Sequence, residues 1–161
     1  MFDEFLGVPM HPLAVHAPVV LIPLLAVVGV AVSFKAVWRE RLSMPFAGLS
    51  IVMVALLVVA RQSGVAAKEA NNVFGNIDRH EDLANQTLLL AGVWLVLAVL
   101  AGVASFLDRR GSVTSLSAGA ADSLRSPVPT VLWILATVAL VATTVWLIRT
   151  GHAGSESRWK F

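Results

Sequence analysis

The chain has 161 residues, of which 57% are hydrophobic and only 14% charged, with a formal net charge of +2. Soluble domains carry about 25% charged residues, so this composition indicates a membrane protein with no room for a separate soluble catalytic domain. The absence of cysteine excludes disulfides, thiolate-ligated metals and iron–sulfur clusters. Because most Lys and Arg residues flank apolar segments and form no basic stripe, we expect no nucleic-acid partner.

Four apolar runs are long enough to cross a bilayer core, which takes about 20 helical residues. They predict an all-α, four-helix transmembrane bundle of up-down-up-down topology, a single domain over residues 1–161. Alternation of period two is missing, so a membrane barrel is not expected. The Ser-, Ala- and Gly-rich segment 111–126 is predicted to be a loop. The four spans are expected at about residues 13–34, 44–67, 83–107 and 128–149.

The basic residues predict how the chain is oriented. No Lys or Arg precedes the first span, whereas Lys35, Arg39 and Arg41 follow it directly. Arg109 and Arg110 lie on that same side, in the third connection. Because the first helix usually dominates orientation and basic loops stay inside, we expect a multi-pass protein of the cell inner membrane with both termini extracytoplasmic. The acidic start of the chain also disfavours a signal peptide.

Two histidines stand at the start of the first span. His16 lies roughly one turn inside the apolar run, where an ionisable residue costs about 2.5–3.5 kcal/mol and by default faces the bundle interior or a cavity. We therefore expect His16 to act as a ligand or in a polar network. His11 is nearer the boundary, and an ordinary interfacial residue is an equal alternative for it.

The second span is interrupted late by Arg61, Gln62 and Ser63. Gly64 follows them and would let another backbone, or a flat ligand, come close. For Arg61, binding an anion and snorkelling to the outer interface are equal alternatives. The inner half of the bundle offers no comparable polar group, so the sequence predicts that any site lies in an outer-face pocket.

The other two histidines flank the third and fourth spans. His80 lies within the polar segment 78–82, which alone is typical of a solvated helix start. His152 lies between Gly151 and Gly154, which could turn the tail back over the bundle mouth. Because an even number of spans returns the chain to its starting side, all four histidines fall on one face. The candidate site residues are His11, His16, His80, His152 and Arg61.

The segment His11-Pro12-Leu13-Ala14-Val15-His16-Ala17-Pro18 resembles the opening His-Pro-x-x-x-His-x-Pro motif of a widespread bacterial family of small four-helix membrane proteins of unknown function. Members of that family also have small residues late in the second helix, which correspond to Ser63-Gly64. A histidine before their third helix corresponds to His80, and a Gly-rich element after their fourth helix corresponds to residues 151–154. Ala17 departs from the usual Phe and removes an aromatic wall. The family distantly resembles four-helix membrane cytochromes of the b type, which implies a haem or redox-metal role.

Three functions remain open from the sequence. The first is haem b, ligated by the histidines, with Arg61 suited to a propionate, for electron transfer or as an accessory redox subunit. The second is a non-haem Zn, Cu or Fe site, for which an unwound helix start would have to converge His11 and His16. The third is a cofactor-free structural or assembly subunit.

The expected partners follow from these alternatives. They are the lipid bilayer and either a larger respiratory or redox membrane complex or a homo-oligomer. Because the cytoplasmic half of the bundle holds no histidine, electron transfer would be confined to the outer face of the membrane. An enzyme is not favoured, since no Ser nucleophile lies in a recognisable turn.

Overall fold

The computed structural model describes residues 4–5, 8–70, 77–114 and 126–159, and within them four long helices hold nearly every residue. Two short strands, β1 (Glu4–Phe5) and β2 (Val8–Pro9), pair antiparallel ahead of the first helix. The predicted all-α, four-helix architecture is confirmed. The helices are α1 (Met10–Ser33), α2 (Ala36–Glu69), α3 (Asp78–Thr114) and α4 (Val128–Trp159).

The helices alternate in direction around a closed ring. His11 at the start of α1 contacts Ala60 near the end of α2. His80 at the start of α3 contacts Thr150 near the end of α4. Each helix packs on its neighbour in the chain and α4 also packs on α1, which leaves α1 diagonally opposite α3. Both helix starts therefore lie at one end, which we call the histidine end.

All four helices are long and apolar enough to span a membrane, and between 33% and 39% of the most apolar window of each is buried inside the bundle. The remaining apolar side chains point outward, as expected of a protein whose surroundings are lipid. Trp94 and Trp133 are almost fully buried between the helices, and the Trp133 ring centre lies 4.6 Å from that of Phe46. Small residues let the helices approach closely: a Cβ on Gly102 would lie 3.2 Å from that of Ala47.

The helices extend beyond the apolar runs that predicted them. Helix α3 includes the charged segment at its start and continues through Thr114, so the predicted loop does not begin at residue 111. Residues 115–125 of that loop lie outside the described residues. Helix α4 continues to Trp159 and does not end near residue 149. Apolarity marks the part of a helix that lipid surrounds, whereas the hydrogen-bonded turns continue into polar sequence.

Candidate functional site

The first turn of α1 carries His11, whose ring bonds to α2. Its Nδ1 lies 3.1 Å from the carbonyl oxygen of Ala60 and 3.1 Å from Ser63 Oγ. A carbonyl oxygen only accepts, so Nδ1 carries the hydrogen and the neutral ring has its lone pair on Nε2. Ser63 is fully buried and its hydroxyl donates to the same Ala60 carbonyl at 2.8 Å. The polar interruption in the second span therefore orients an imidazole.

His80 in the first turn of α3 repeats this arrangement on α4. Its Nδ1 donates to the carbonyl oxygen of Thr150 at 2.8 Å, which again leaves the lone pair on Nε2. One turn or two further into the bundle, the hydroxyl of Thr87 lies 3.0 Å from that of Thr150, and both side chains are buried. Sequence analysis missed both threonines, although Thr87 follows His80 by seven residues and therefore lies two turns further along the same face.

The rings of His11 and His80 meet across the diagonal of the bundle. Their centres are 6.3 Å apart and their planes are nearly perpendicular, at 82°. Both residues are half-buried. We call His11 and His80 the histidine pair. Each contributes one hydrogen-bonded Nδ1, and among the described residues no group bonds Nε2 of either ring.

A glycine makes room for each ring. A Cβ on Gly64 would lie 3.1 Å from Cε1 of His11, and a Cβ on Gly154 would lie 2.9 Å from Nδ1 of His80. The close approach expected at Gly64 is thus made by an imidazole. The predicted turn at residues 151–154 is wrong, because α4 stays helical there. Gly154 instead admits the His80 ring.

His16 does not join the pair. It is exposed, and its Nδ1 donates to the carbonyl oxygen of Pro12 within α1. The expectation that it faces the bundle interior is therefore wrong. Five residues of helix rotate a side chain by about 140° relative to His11, so one helix cannot aim both histidines at the same partner.

His152 also lies apart, on the outer surface of α4. Its side chain is 71% exposed, and its Nε2 is 3.6 Å from Glu156 Oε1. Glu156 lies 3.5 Å from Arg79 of α3 as well. Within residues 10–70, 77–110 and 126–156, no group of three or more His, Asp or Glu side chains is placed to hold a metal ion. The structure brings together two of the four histidines.

Arg61 bonds to protein side chains beside the pair. Its Nη2 lies 3.2 Å from Glu81 Oε1 and its Nε donates to Asn85 Oδ1 at 3.0 Å. Lys68 Nζ lies 2.6 Å from the other Glu81 oxygen. Because Glu81 follows His80 directly, these contacts tie the end of α2 to the turn that carries His80. Anion binding by Arg61 stays a prediction.

The histidine pair shares one feature with histidines that bind metals. Metal-binding histidines usually donate the second ring N–H to a carbonyl or carboxylate, which fixes the tautomer and the ring orientation. Both His11 and His80 do so. The ring-centre distance of 6.3 Å is close to the roughly 6.4 Å that two imidazoles would have if both held one metal with bonds of about 2.0–2.1 Å.

Comparison with known proteins gives a family. Residues 7–161 match the model of a family described as "Predicted membrane protein (DUF2231)". Neither a curated protein nor a solved structure matches the chain. The match covers nearly the whole chain and agrees with four membrane-spanning helices. The opening motif and the distant likeness to b-type cytochromes stay predictions.

Proposed function

We propose that the chain, which belongs to the DUF2231 family of predicted membrane proteins, is a membrane redox protein in which the histidine pair would ligate the iron of one b-type haem. The observation that carries the proposal is the 6.3 Å spacing of the His11 and His80 rings, each with Nδ1 bonded to a carbonyl. The role would be electron transfer, or that of an accessory redox subunit.

The number of ligands favours haem over a bare ion. A porphyrin supplies four nitrogens to its iron, so two imidazoles complete the coordination. A bare zinc ion normally takes four ligands, and the pair would supply half of them. Facing helices of a four-helix bundle are a common place for a cofactor, and α1 and α3 face each other across the diagonal.

The surrounding residues support the same function. Gly64 and Gly154 keep side-chain bulk away from the two rings. Arg61 and Lys68 both bond Glu81, next to His80, and would hold the haem propionates. When bound, haem supplies one-electron chemistry. The protein would fix the tautomers of the two imidazoles and hold the rings on diagonally opposite helices.

The absorption spectrum of the purified protein tests this proposal. After expression with added haem precursor, we expect a Soret band, a sharp α-band on reduction with dithionite, and about one haem per chain. A colourless protein from haem-supplied cells, with iron far below one per chain, would contradict it.

A non-haem metal site is the second candidate, favoured by the same Nδ1–H bonds to Ala60 and Thr150. In this case water or other groups complete a Zn, Cu or Fe site, because imidazole suits all three metals. Elemental analysis separates the candidates: stoichiometric metal without a Soret band indicates a bare ion. A metal-free, colourless protein that co-purifies with a stoichiometric large partner indicates a structural subunit.

We also propose that the histidine end lies outside the cytoplasm, in the cell inner membrane. The support is the cluster of Lys35, Arg39 and Arg41 at the opposite end, since basic loops stay inside. Electron transfer would then involve a partner at the outer face. An alkaline phosphatase fused after Phe161 should be active, and a green fluorescent protein fused there should be dark. The reverse result would invert the assignment.

A further inference from the structure

The two halves of the histidine end are built from the same three parts. In each hairpin of successive helices, a histidine in the first turn of one helix donates Nδ1–H to a carbonyl near the end of the next. A glycine four residues after that carbonyl leaves space for the ring. The two sets are His11, Ala60 and Gly64 in α1 and α2, and His80, Thr150 and Gly154 in α3 and α4. Each hairpin thus supplies one imidazole, one carbonyl and one glycine.

The buried faces of α1 and α3 follow the same register. His80 stands 69 positions after His11 in the chain. The same interval takes five of the six buried residues of α1 to buried residues of α3. The five in α1 are Pro18, Ile22, Leu25, Gly29 and Val32, and their counterparts in α3 are Thr87, Ala91, Trp94, Ala98 and Ala101. The two helices therefore present equivalent faces to the interior of the bundle.

Helices α2 and α4 match in the same way. Thr150 stands 90 positions after Ala60, and this interval takes eight of the nine buried residues of α2 to buried residues of α4. Because α1 lies diagonally opposite α3, a half-turn about the long axis of the bundle relates one hairpin to the other. We call this axis the pseudo-twofold axis. It runs between the rings of His11 and His80, whose centres are 6.3 Å apart.

The hydrogen bonds to the two rings differ at one matching position. On α2, Ser63 follows Ala60 by three residues, and its Oγ lies 3.1 Å from His11 Nδ1. On α4 the matching residue is Ala153, which is buried and carries no hydroxyl. Among the described residues, Nδ1 of His80 bonds the backbone carbonyl on α4 alone, at 2.8 Å. The two imidazoles therefore occupy equivalent places with unequal partners.

The additional partner changes the chemistry of His11. The Ser63 hydroxyl donates its hydrogen to the Ala60 carbonyl at 2.8 Å, so a lone pair of its oxygen faces His11 Nδ1–H. A metal-binding imidazole becomes more basic at the ligating nitrogen when its other N–H is hydrogen-bonded. Ser63 therefore raises the basicity of His11 Nε2, and no side chain does this for His80 in the described part of the chain.

We propose that the histidine pair is a ligand site of twofold symmetry, in which Ser63 is a positioning residue for His11 and Ala153 marks the matching position for His80. A hydroxyl at residue 153 would act on His80 as Ser63 acts on His11. A ligand shared by both rings lies on the pseudo-twofold axis, so both positions affect it equally. The effect on a bound metal rests on the proposed function, whereas the equivalence of the two positions does not.

The midpoint potential of the haem-loaded full chain tests the proposal. S63A should raise the potential, because a less basic His11 stabilises ferric iron less. A153S should lower it by a comparable amount, and in the double variant S63A/A153S the two shifts should largely cancel. A26S is the matched control: Ala26 is as buried as Ala153 but lies roughly 22 Å along α1 from His11, so the potential should not change. Shifts of the same sign in S63A and A153S, or no shift in S63A, would overturn the proposal.

Nitrogen-15 NMR of the cofactor-free chain, labelled at histidine, decides the question if no haem binds. S63A should move the Nδ1 resonance of His11 and leave that of His80 in place. A153S should move only the resonance of His80, in the opposite direction. These shifts in a colourless protein would contradict the haem and support the equivalence of the two positions. S63A adds no atom, so it serves even if A153S folds poorly, and an unmoved His11 resonance in S63A would overturn the proposal.

Discussion

The two ends of the bundle use their polar groups in opposite ways. At the histidine end, the Nδ1–H groups of both rings donate to backbone carbonyls, and among the described residues no group bonds Nε2. At the other end, Nε of Arg39 is buried and has no acceptor in the described part of the chain. A lone pair on Nε2 would suit a metal, whereas a buried N–H without an acceptor destabilises the fold.

The difference shows that burial alone does not identify a site in such a bundle. Most buried hydroxyls here, such as those of Ser50 and Thr143, bond the carbonyl one turn earlier in their own helix and are locally satisfied. The histidine pair differs because Nε2 of each ring has no hydrogen-bond partner among the described residues, and Arg39 Nε, Trp94 Nε1 and Thr137 Oγ1 are likewise unpaired there. Of these, only the paired imidazoles combine unpaired atoms with a close approach of two helices.

Removing one imidazole should have the largest effect. H11A or H80A removes one of the two imidazoles that would hold the cofactor, so we expect a loss of cofactor of at least about tenfold, as is usual when the surroundings of a metal are disrupted. Cofactor per chain, from the Soret absorbance or from elemental analysis, measures it. H16A and H152A are the matched controls and should retain the cofactor, since both residues are exposed and outside the pair. Equal loss in all four variants would contradict the assignment of the pair.

Filling the space beside His80 should be the next largest change. In G154A the new Cβ would lie 2.9 Å from His80 Nδ1, so the ring must shift. We expect destabilisation of about 1–3 kcal/mol together with weaker cofactor binding. G151A has open space around the new Cβ and should instead stabilise by roughly 0.5–1 kcal/mol, because Ala is the better helix former. The unfolding temperatures of G154A and G151A in detergent measure both changes in stability. A G154A protein as stable as G151A would show that the ring is not confined.

Deleting the hydroxyl that supports His11 should have a moderate effect. S63A removes one partner of Nδ1 but leaves the Ala60 carbonyl, so we expect a loss of about 0.5–1.5 kcal/mol and a measurable shift in the cofactor's midpoint potential. S50A is its control: Ser50 is equally buried but bonds only the Phe46 carbonyl of its own helix. Its unfolding temperature should fall similarly while the potential stays constant. The same potential shift in both variants would remove Ser63 from the site.

Breaking the ion pairs beside the pair should have the smallest effect on stability. E81Q removes the carboxylate shared by Arg61 and Lys68. These side chains are partly exposed, so we expect only a small loss of stability, which shrinks further in high salt. The unfolding temperature at low and high ionic strength measures the loss. A fall in unfolding temperature as large as that of G154A, and insensitive to salt, would show that the network is a main structural element of the histidine end.

Sequence predicted the helices because apolar length is a direct physical requirement for crossing a bilayer. It also placed His11 and His80 at one end, since that follows from counting spans. It did not identify them as a pair, because pairing depends on how each helix rotates about its axis when it packs. The position of His16 was misjudged for another reason. Its depth in the apolar run predicted an interior position, but α1 is helical from Met10, and a regular helix turns His16 about 140° away from His11.

The burial of Arg39 lay beyond sequence reasoning altogether. Arg39 belongs to a short basic segment whose ordinary interpretation is a membrane-flanking anchor. The expectation that the half without histidines holds no comparable polar group did not consider an arginine whose Nη1 bonds the Ser33 carbonyl and whose Nε is buried.

Electron paramagnetic resonance of the oxidised protein tests most directly whether His11 and His80 ligate one iron together. The ring planes are nearly perpendicular, at 82°. We therefore expect the strongly anisotropic low-spin signal of a ferric haem with two crossed imidazoles, lost in H11A and in H80A and kept in H16A. A high-spin signal, or a low-spin signal that survives in H11A or in H80A, would contradict a shared iron between the two rings.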